Sequence, residues 1–263
     1  MTCKEKIRDF FSFPDWIRTL RNVPGLTIGL LLAANVLMNI LANKSIIELK
    51  FPDSDSYWLI QDAGIFFSWI AFLIGDLLVK NFGAKNAIRV NVTCIILSLF
   101  LSLLLALAGL VPGTWSSEFN YPDPKVQQDV SDALNSTISN AWYVILGSAL
   151  ASLVGLITNN LTDEVILKKI EKKHGDHYWG YITASGISTF IGQILDNLIF
   201  ALVISVHFFK WTYLTAFMCS LDGALFELII QMIFTPLSYA ISKNWKKNGI
   251  GTNNIREAKD EAR

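Results

Sequence analysis

Apolar and polar positions along this chain alternate in long blocks, not at the short periods of an amphipathic helix or a half-buried strand. Six blocks are apolar on every face, roughly Leu26–Leu41, Ala63–Val79, Val90–Leu110, Trp142–Ile157, Tyr181–Val206 and Tyr213–Ile241. Each approaches the ~20 residues that a helix needs to cross a bilayer core. The pattern predicts an all-α polytopic membrane protein with six transmembrane helices. The last two blocks are long enough to tilt or break, and Pro236 is placed to kink the sixth. Trp58, Trp142, Trp179, Trp211 and Tyr213 fall near block ends, where amphipathic rings settle at a membrane interface.

Composition agrees with this picture. Hydrophobic residues make up 52% of the 263 and charged residues 17%, against about a quarter charged in soluble domains. Cys3, Cys94 and Cys219 lie far apart with no CxxC spacing, so they outline neither a disulfide framework nor a zinc site. The first apolar block starts near Gly25 and lacks a small-residue cleavage site, so insertion through the first helix is expected.

A net charge of zero hides a segregation of sign. Eighteen Lys and Arg fall in the N-terminal segment, in the connections after the second and fourth blocks, and in the tail. Only Lys44, Lys50, Lys125 and Lys210 fall on the other side. The positive-inside rule then puts both termini in the cytoplasm, in a bacterial inner membrane. Residues 1–24 read as a basic, amphipathic segment on the cytoplasmic leaflet, residues 25–242 as the transmembrane domain, and residues 243–263 as a polar cytoplasmic tail. The connection between the third and fourth blocks, with Glu118, Asp123, Asp129 and Asp132, reads as an acidic outer loop.

Ionisable residues inside the apolar blocks carry the functional signal. Each costs about 2.5–3.5 kcal/mol near the bilayer centre and needs a reason to be there. The second block holds Asp76, the fifth Asp196, and the sixth Asp222 and Glu227, with no Lys or Arg deep in any block to pair with them. Such acids are protonated, bind a cation, or accept from a donor-rich ligand. In the fifth block Ser185, Ser188, Thr189, Gly192, Gln193 and Asp196 step by three or four and share one face, with Asn197 beside them. Small residues there permit close helix packing, but Gln193 and Asp196 are more than packing requires and suggest a cavity wall. Glu227 and Gln231, four apart, share a face of the sixth helix. Asn35 and Asn39 suit interhelical hydrogen bonding.

Three stretches resemble the vitamin uptake transporter family, which includes bacterial queuosine-precursor transporters: FLIGDLLVKNFGAKNAIR (residues 72–89), STFIGQILDNLIF (188–200) and TPLSY (235–239). The resemblance runs through most of the chain in helix order. Asp76, Phe82 and Gly83 match the family pattern of the second helix. Ser188, Thr189, Gly192, Gln193 and Asp196 match that of the fifth. Two departures stand out: Lys80 where many members have Glu, and Phe226 or Glu227 where many have Lys.

What the resemblance implies is a six-helix importer of 7-deazaguanines. One carboxylate can accept both the ring N1–H and the exocyclic amine of such a base. An amide like that of Gln193 both donates and accepts, so it can read the adjacent carbonyl, and Phe190 or Phe200 would stack on the rings. The expected substrate-binding residues are Asp76, Ser188, Thr189, Gln193, Asp196, Asn197, Glu227 and Gln231. No catalytic residue, resident cofactor, metal or nucleic-acid partner is expected; the expected partners are the lipid bilayer and a small 7-deazaguanine-like substrate. A homo-oligomer and an energising ATPase module stay open, since a substrate-binding subunit of an ATP-driven vitamin transporter fits the same features. An intramembrane aspartyl enzyme is the third class, without a family pattern here. The chain has no GxxxxGK[ST] loop of its own. His174, Asp176 and His177 read as a solvated polar loop rather than a metal site.

Overall fold

The computed structural model describes residues 10–42, 44–111, 113–114, 123–139 and 142–251. Lys4, Lys6, Arg8, Glu118 and the tail beyond residue 251, which enter the expectations above, lie outside the described residues.

A short helix α1 (Phe13–Asn22) leads into α2 (Gly25–Leu41), and the two axes are bent by 101°. Pro24 sets the corner: Val23 before it takes an extended conformation (φ −80°, ψ 134°), as residues preceding proline do. Polar contacts fasten α1 to α4 (Ala84–Gly109). Trp16 Nε1 donates to Thr93 Oγ1 at 2.8 Å, and the buried Arg89 guanidinium donates to the Phe10 carbonyl at 3.0 and 3.2 Å.

Between α2 and α3 (Ile65–Phe82) the chain forms an antiparallel hairpin, β1 (Ser45–Lys50) and β2 (Tyr57–Asp62), with Ser45 opposite Asp62 and Lys50 opposite Tyr57. The fold is mostly helical, as the all-α expectation has it, and carries in addition one small sheet. Reading for blocks of about twenty residues passes over six-residue strands, although the β-branched and aromatic residues around the turn at Pro52–Ser56 carry a hairpin signature. Three helices complete the bundle: α6 (Trp142–His174), α7 (Tyr178–Phe200), which continues through a π-helical turn (Ala201–Ser205), and α8 (Tyr213–Lys247). Pro236 lies inside α8 without ending it. The hairpin leans on the start of α8, where Tyr57 N donates to Thr215 Oγ1 at 3.0 Å.

Two connections differ from their sequence-based reading. The acidic segment contains a helix, α5 (Pro124–Ser139), and α6 runs past Ile157 to His174. Lys168, Lys169, Lys172 and Lys173 therefore sit on the last turns of a helix, not in a loop. An apolar-block reading stops where polar residues begin, whereas a helix stops only where its backbone does.

Among the described residues five helices are long and apolar enough to cross a membrane, or six if the bent α1–α2 pair is one span. The protein is a multi-pass membrane protein. Leu20, Val23, Phe82 and Trp245 pack together, with the Phe82 and Trp245 rings edge to face at 5.9 Å. The start of α2 and the end of α8 thus share one end of the bundle, here the terminal end, with the hairpin at the other. On α4, Ile96, Phe100, Leu103, Leu104 and Leu107 face outward, whereas Cys94, Ser98 and Ser102 are buried. That is the inverse of a soluble helix and fits a lipid surround.

At the centre, α6 and α7 touch through their backbones. A Cβ on Gly155 would stand 3.0 Å from the Gly192 carbonyl oxygen and 2.8 Å from Asp196 Cβ. One on Gly192 would stand 2.9 Å from Asn159 Cβ and from Phe72 Cε1. Only glycine permits this approach. Gly192→Ala is therefore expected to destabilise the protein by about 1–3 kcal/mol through overpacking. Gly29→Ala, with nothing within 4 Å, should be neutral or slightly stabilising. Thermal unfolding of both variants in detergent checks the pair.

Candidate functional site

The hairpin end of the bundle holds a cavity of about 720 Å³, walled by the hairpin, α2, α3, α6, α7 and α8. Five carboxylates line it (Glu48, Asp55, Asp62, Asp196 and Glu227), against a single lysine, Lys210. Two of the acids come from deep in the bundle. Glu227 Oε1 accepts from Ser68 Oγ at 2.5 Å, while its Oε2 has no partner. Asp196 meets only Ser152 Oγ, at 3.5 Å. Asp62, at the end of β2, accepts from Gly64 N at 2.7 Å. Burial pushes its carboxyl up to about 7, partly opposed by the N–H groups of Gly64 and Ile65. Tyr57, Tyr143, Phe200, Phe209 and Trp211 supply aromatic faces around the mouth.

A second polar centre lies nearer the terminal end, closed off from the cavity. Asp76, fully buried, accepts from Asn159 Nδ2 at 2.9 Å, Gln231 Nε2 at 2.8 Å, Thr189 Oγ1 at 3.5 Å and Ser185 Oγ. Gln231 Nε2 also reaches Thr189 Oγ1 at 2.6 Å. Four helices, α3, α6, α7 and α8, are tied together through one carboxylate.

The anticipated binding residues thus divide between two places. Asp196, Asn197 and Glu227 line the cavity. Asp76, Thr189 and Gln231 form the second centre, and Ser188 Oγ donates to the Ser185 carbonyl at 3.1 Å within α7. Gln193, 1% exposed, is not among the residues lining the cavity, and neither of its amide atoms has a hydrogen-bond partner. Phe200 reaches the cavity wall; Phe190 does not.

Sequence reasoning missed Asp62, Ser68, Asn91, Asn159, Asn160 and Asp163. The last three belong to the stretch of α6 read as lying beyond the membrane. The periodicity Ser148, Ser152, Gly155, Asn159, Asp163 was the available signal, since its steps of three or four match the polar face of α7.

A family model described as "Putative vitamin uptake transporter" matches residues 62–241, from the last residue of β2 to the later turns of α8. The chain belongs to that family. No curated protein and no solved structure matches it. In this vitamin uptake transporter family member the Asp76 centre and the cavity acids Asp62, Asp196 and Glu227 fall inside the matched region, while α2, β1 and the cavity acids Glu48 and Asp55 fall outside it.

The terminal end is closed by ion pairs. Lys80, its side chain 2% exposed, donates to Glu171 and, at 2.7 Å, to Asp176; Lys246 reaches Asp176 at 2.5 Å. This ties α3 and α8 to the α6–α7 connection, so Lys80, a departure from the family pattern, is matched here by two carboxylates. His177 Nδ1 faces the Gly175 carbonyl at 3.0 Å, and Asp176 is engaged by the lysines. Burial raises the Asp176 carboxyl, but Lys246 and Lys80 outweigh it and hold it below its ordinary value. Its stabilisation is then fully present above the unfolded value of about 3.9 and is lost as pH falls through the lower folded value. On acidification from pH 7 to 3 the wild type should lose more thermal stability than Asp176→Asn, a difference that melting curves across that range will show.

Proposed function

We propose that this protein imports a flat, donor-rich heterocycle of the queuosine-precursor class, 7-cyano-7-deazaguanine or 7-aminomethyl-7-deazaguanine, through the cavity at the hairpin end. The observation that carries the reading is the pair of carboxylates from inside the bundle, Asp196 and Glu227, facing one acid-lined cavity in a member of the vitamin uptake transporter family. A 7-deazaguanine offers an N1–H and an exocyclic amine side by side. Asp196 accepts both, and the free Oε2 of Glu227 takes a further donor. Aromatic rings of Tyr57, Phe200 and Trp211 suit stacking on the flat base. The excess of acids over Lys210 favours a cationic ligand, hence the aminomethyl form over the cyano form.

The distribution of Lys and Arg supports an orientation with the terminal end in the cytoplasm. The cavity then opens outward, and the Lys80–Glu171–Asp176–Lys246 cluster closes the cytoplasmic exit. Import requires that cluster to part while the hairpin end closes over the substrate, as alternating access demands.

The test is expression of this chain alone in a bacterium that lacks both deazaguanine synthesis and its own transporter, followed by measurement of queuosine in tRNA. Wild type should restore queuosine from a low external concentration of either precursor, with the aminomethyl form preferred. Asp196→Asn removes a charged acceptor worth about 1.5–3 kcal/mol, so uptake should fall at least tenfold with the protein still in the membrane. Full uptake by that variant would rule out its role. No uptake by wild type would leave a different ligand, or the substrate-binding subunit of an ATP-driven system, as the reading to pursue.

A further inference from the structure

The compartment around Asp76 holds more polar atoms than its hydrogen bonds use. Asp163, 0% exposed on α6, has no partner for either carboxylate oxygen. Both amide atoms of Asn91 and Asn160 are equally unpartnered, at 2% and 0% exposure. Asn159 and Gln231 give their NH2 groups to Asp76, and each leaves its carbonyl oxygen without a donor.

These groups converge. A Cβ on Gly75, the neighbour of Asp76, would stand 3.0 Å from Asn160 Oδ1, 3.5 Å from Asn159 Nδ2 and 3.8 Å from Asn91 Nδ2. Asn160 and Asp163 are three apart and Asn159 and Asp163 four apart, so α6 turns all three toward one region. Asp163 lies in the electrostatic field of Asp76, Lys80, Glu164 and Glu171.

Buried polar groups without partners are costly in any protein and more so inside a membrane, where water does not supply the missing bond. The imbalance here has a sign. Six oxygens lack donors (both of Asp163 and one each of Asn91, Asn159, Asn160 and Gln231), whereas only the amide nitrogens of Asn91 and Asn160 lack acceptors. A proton on Asp163 supplies one O–H donor, which answers one amide oxygen and leaves the others as they are. A hard cation answers several at once, because carboxylate and amide oxygens are its natural ligands.

Charge narrows the choice. Asp76 already accepts from four donors, and the charge of Lys80 is balanced by Glu171 and Asp176. One free carboxylate remains, that of Asp163, which suits a monovalent ion. Among the described residues no three His, Cys, Asp or Glu form a group able to hold a metal ion, so a transition-metal centre lacks its ligands.

We propose that Asp163, with amide oxygens of Asn160, Asn159 and Asn91, binds a sodium-sized alkali cation beside Asp76. Both sites share α6, α7 and α8: Ser152 and Asp196 face the cavity, Asn159 and Thr189 face the ion compartment, and Glu227 and Gln231 stand one turn apart. An ion that orders these helices around Asp76 also sets the spacing of the cavity wall. The binding site stands on its own geometry; the coupling rests on the transport reading above.

The experiment is thermal unfolding of the purified full chain in detergent at fixed pH, in sodium chloride against choline chloride of equal ionic strength. Wild type should melt a few degrees higher in sodium, because a ligand bound only to the folded state stabilises it. Asp163→Asn should lose that rise, and Asn160→Ala should shift its midpoint to at least tenfold higher sodium, which also serves if Asp163→Asn does not fold. Asp196→Asn, whose carboxylate lies in the cavity, should keep it. Equal melting of wild type in the two salts, or a full sodium response in Asp163→Asn and Asn160→Ala, would overturn the site. If the sodium response stands and queuosine is not restored, only the substrate reading fails. If queuosine is restored without a sodium response, only the ion site fails.

Discussion

The two polar centres of this bundle lie to either side of the backbone contact between Gly155 and Gly192. Association in a membrane gains nothing from removing apolar surface from water, so helices hold together by close packing and interhelical hydrogen bonds. Two glycines at the crossing of α6 and α7 bring the backbones near enough for side chains on either side of the contact to meet. Toward the hairpin end, Ser152 comes within reach of Asp196. Toward the terminal end, Asn159, Ser185 and Thr189 all reach Asp76. A side chain larger than hydrogen at the crossing would push both sets apart together, so one contact governs two sites.

The two groups of acids differ in what surrounds them. Asp76 is enclosed by donors from α6, α7 and α8, which makes it the centre of an interhelical network. Asp196 has one serine, Glu227 has one serine with the Asn197 amide beside it, and both otherwise face the cavity. A carboxylate already satisfied by protein has little left to offer a substrate, and one left open has no structural reason to be buried. By that measure the open pair suits a ligand and the enclosed acid the framework, although in sequence all three are simply acids in apolar blocks.

Much of this was legible beforehand for a specific physical reason. A membrane span must be apolar over a length fixed by the bilayer, so the blocks announced the helices, and an acid inside a block announced itself as an exception. The face of α7 carrying Ser185, Thr189 and Asp196 was readable because helical periodicity does not depend on the neighbours. Which acids would share a compartment was not readable, since that depends on how α3, α6, α7 and α8 cross. Glu227 and Gln231 share a face of α8, yet one faces the cavity and the other Asp76, because a single turn carries the helix from one compartment to the next. Asp163 escaped notice because the polar residues after Ile157 look like the end of a span, whereas the partners of α6 bury the face carrying Asn159, Asn160 and Asp163.

The closure at the terminal end bears on how such a bundle could change state. Asp76 knits four helices with bonds fully withdrawn from water, whereas Asp176 and Lys246, which help to close the exit, are 38% and 45% exposed. Exposed ion pairs contribute little to stability and exchange readily with water, while buried networks are expensive to break. A transition that opens the terminal end should therefore part the Lys80–Asp176–Lys246 cluster and leave the Asp76 network whole, moving α7 with α6 as one body about their glycine contact. Lys80, with Glu171 and Asp176 as its complement, would then change partners in that transition while the cavity acids stay as they are.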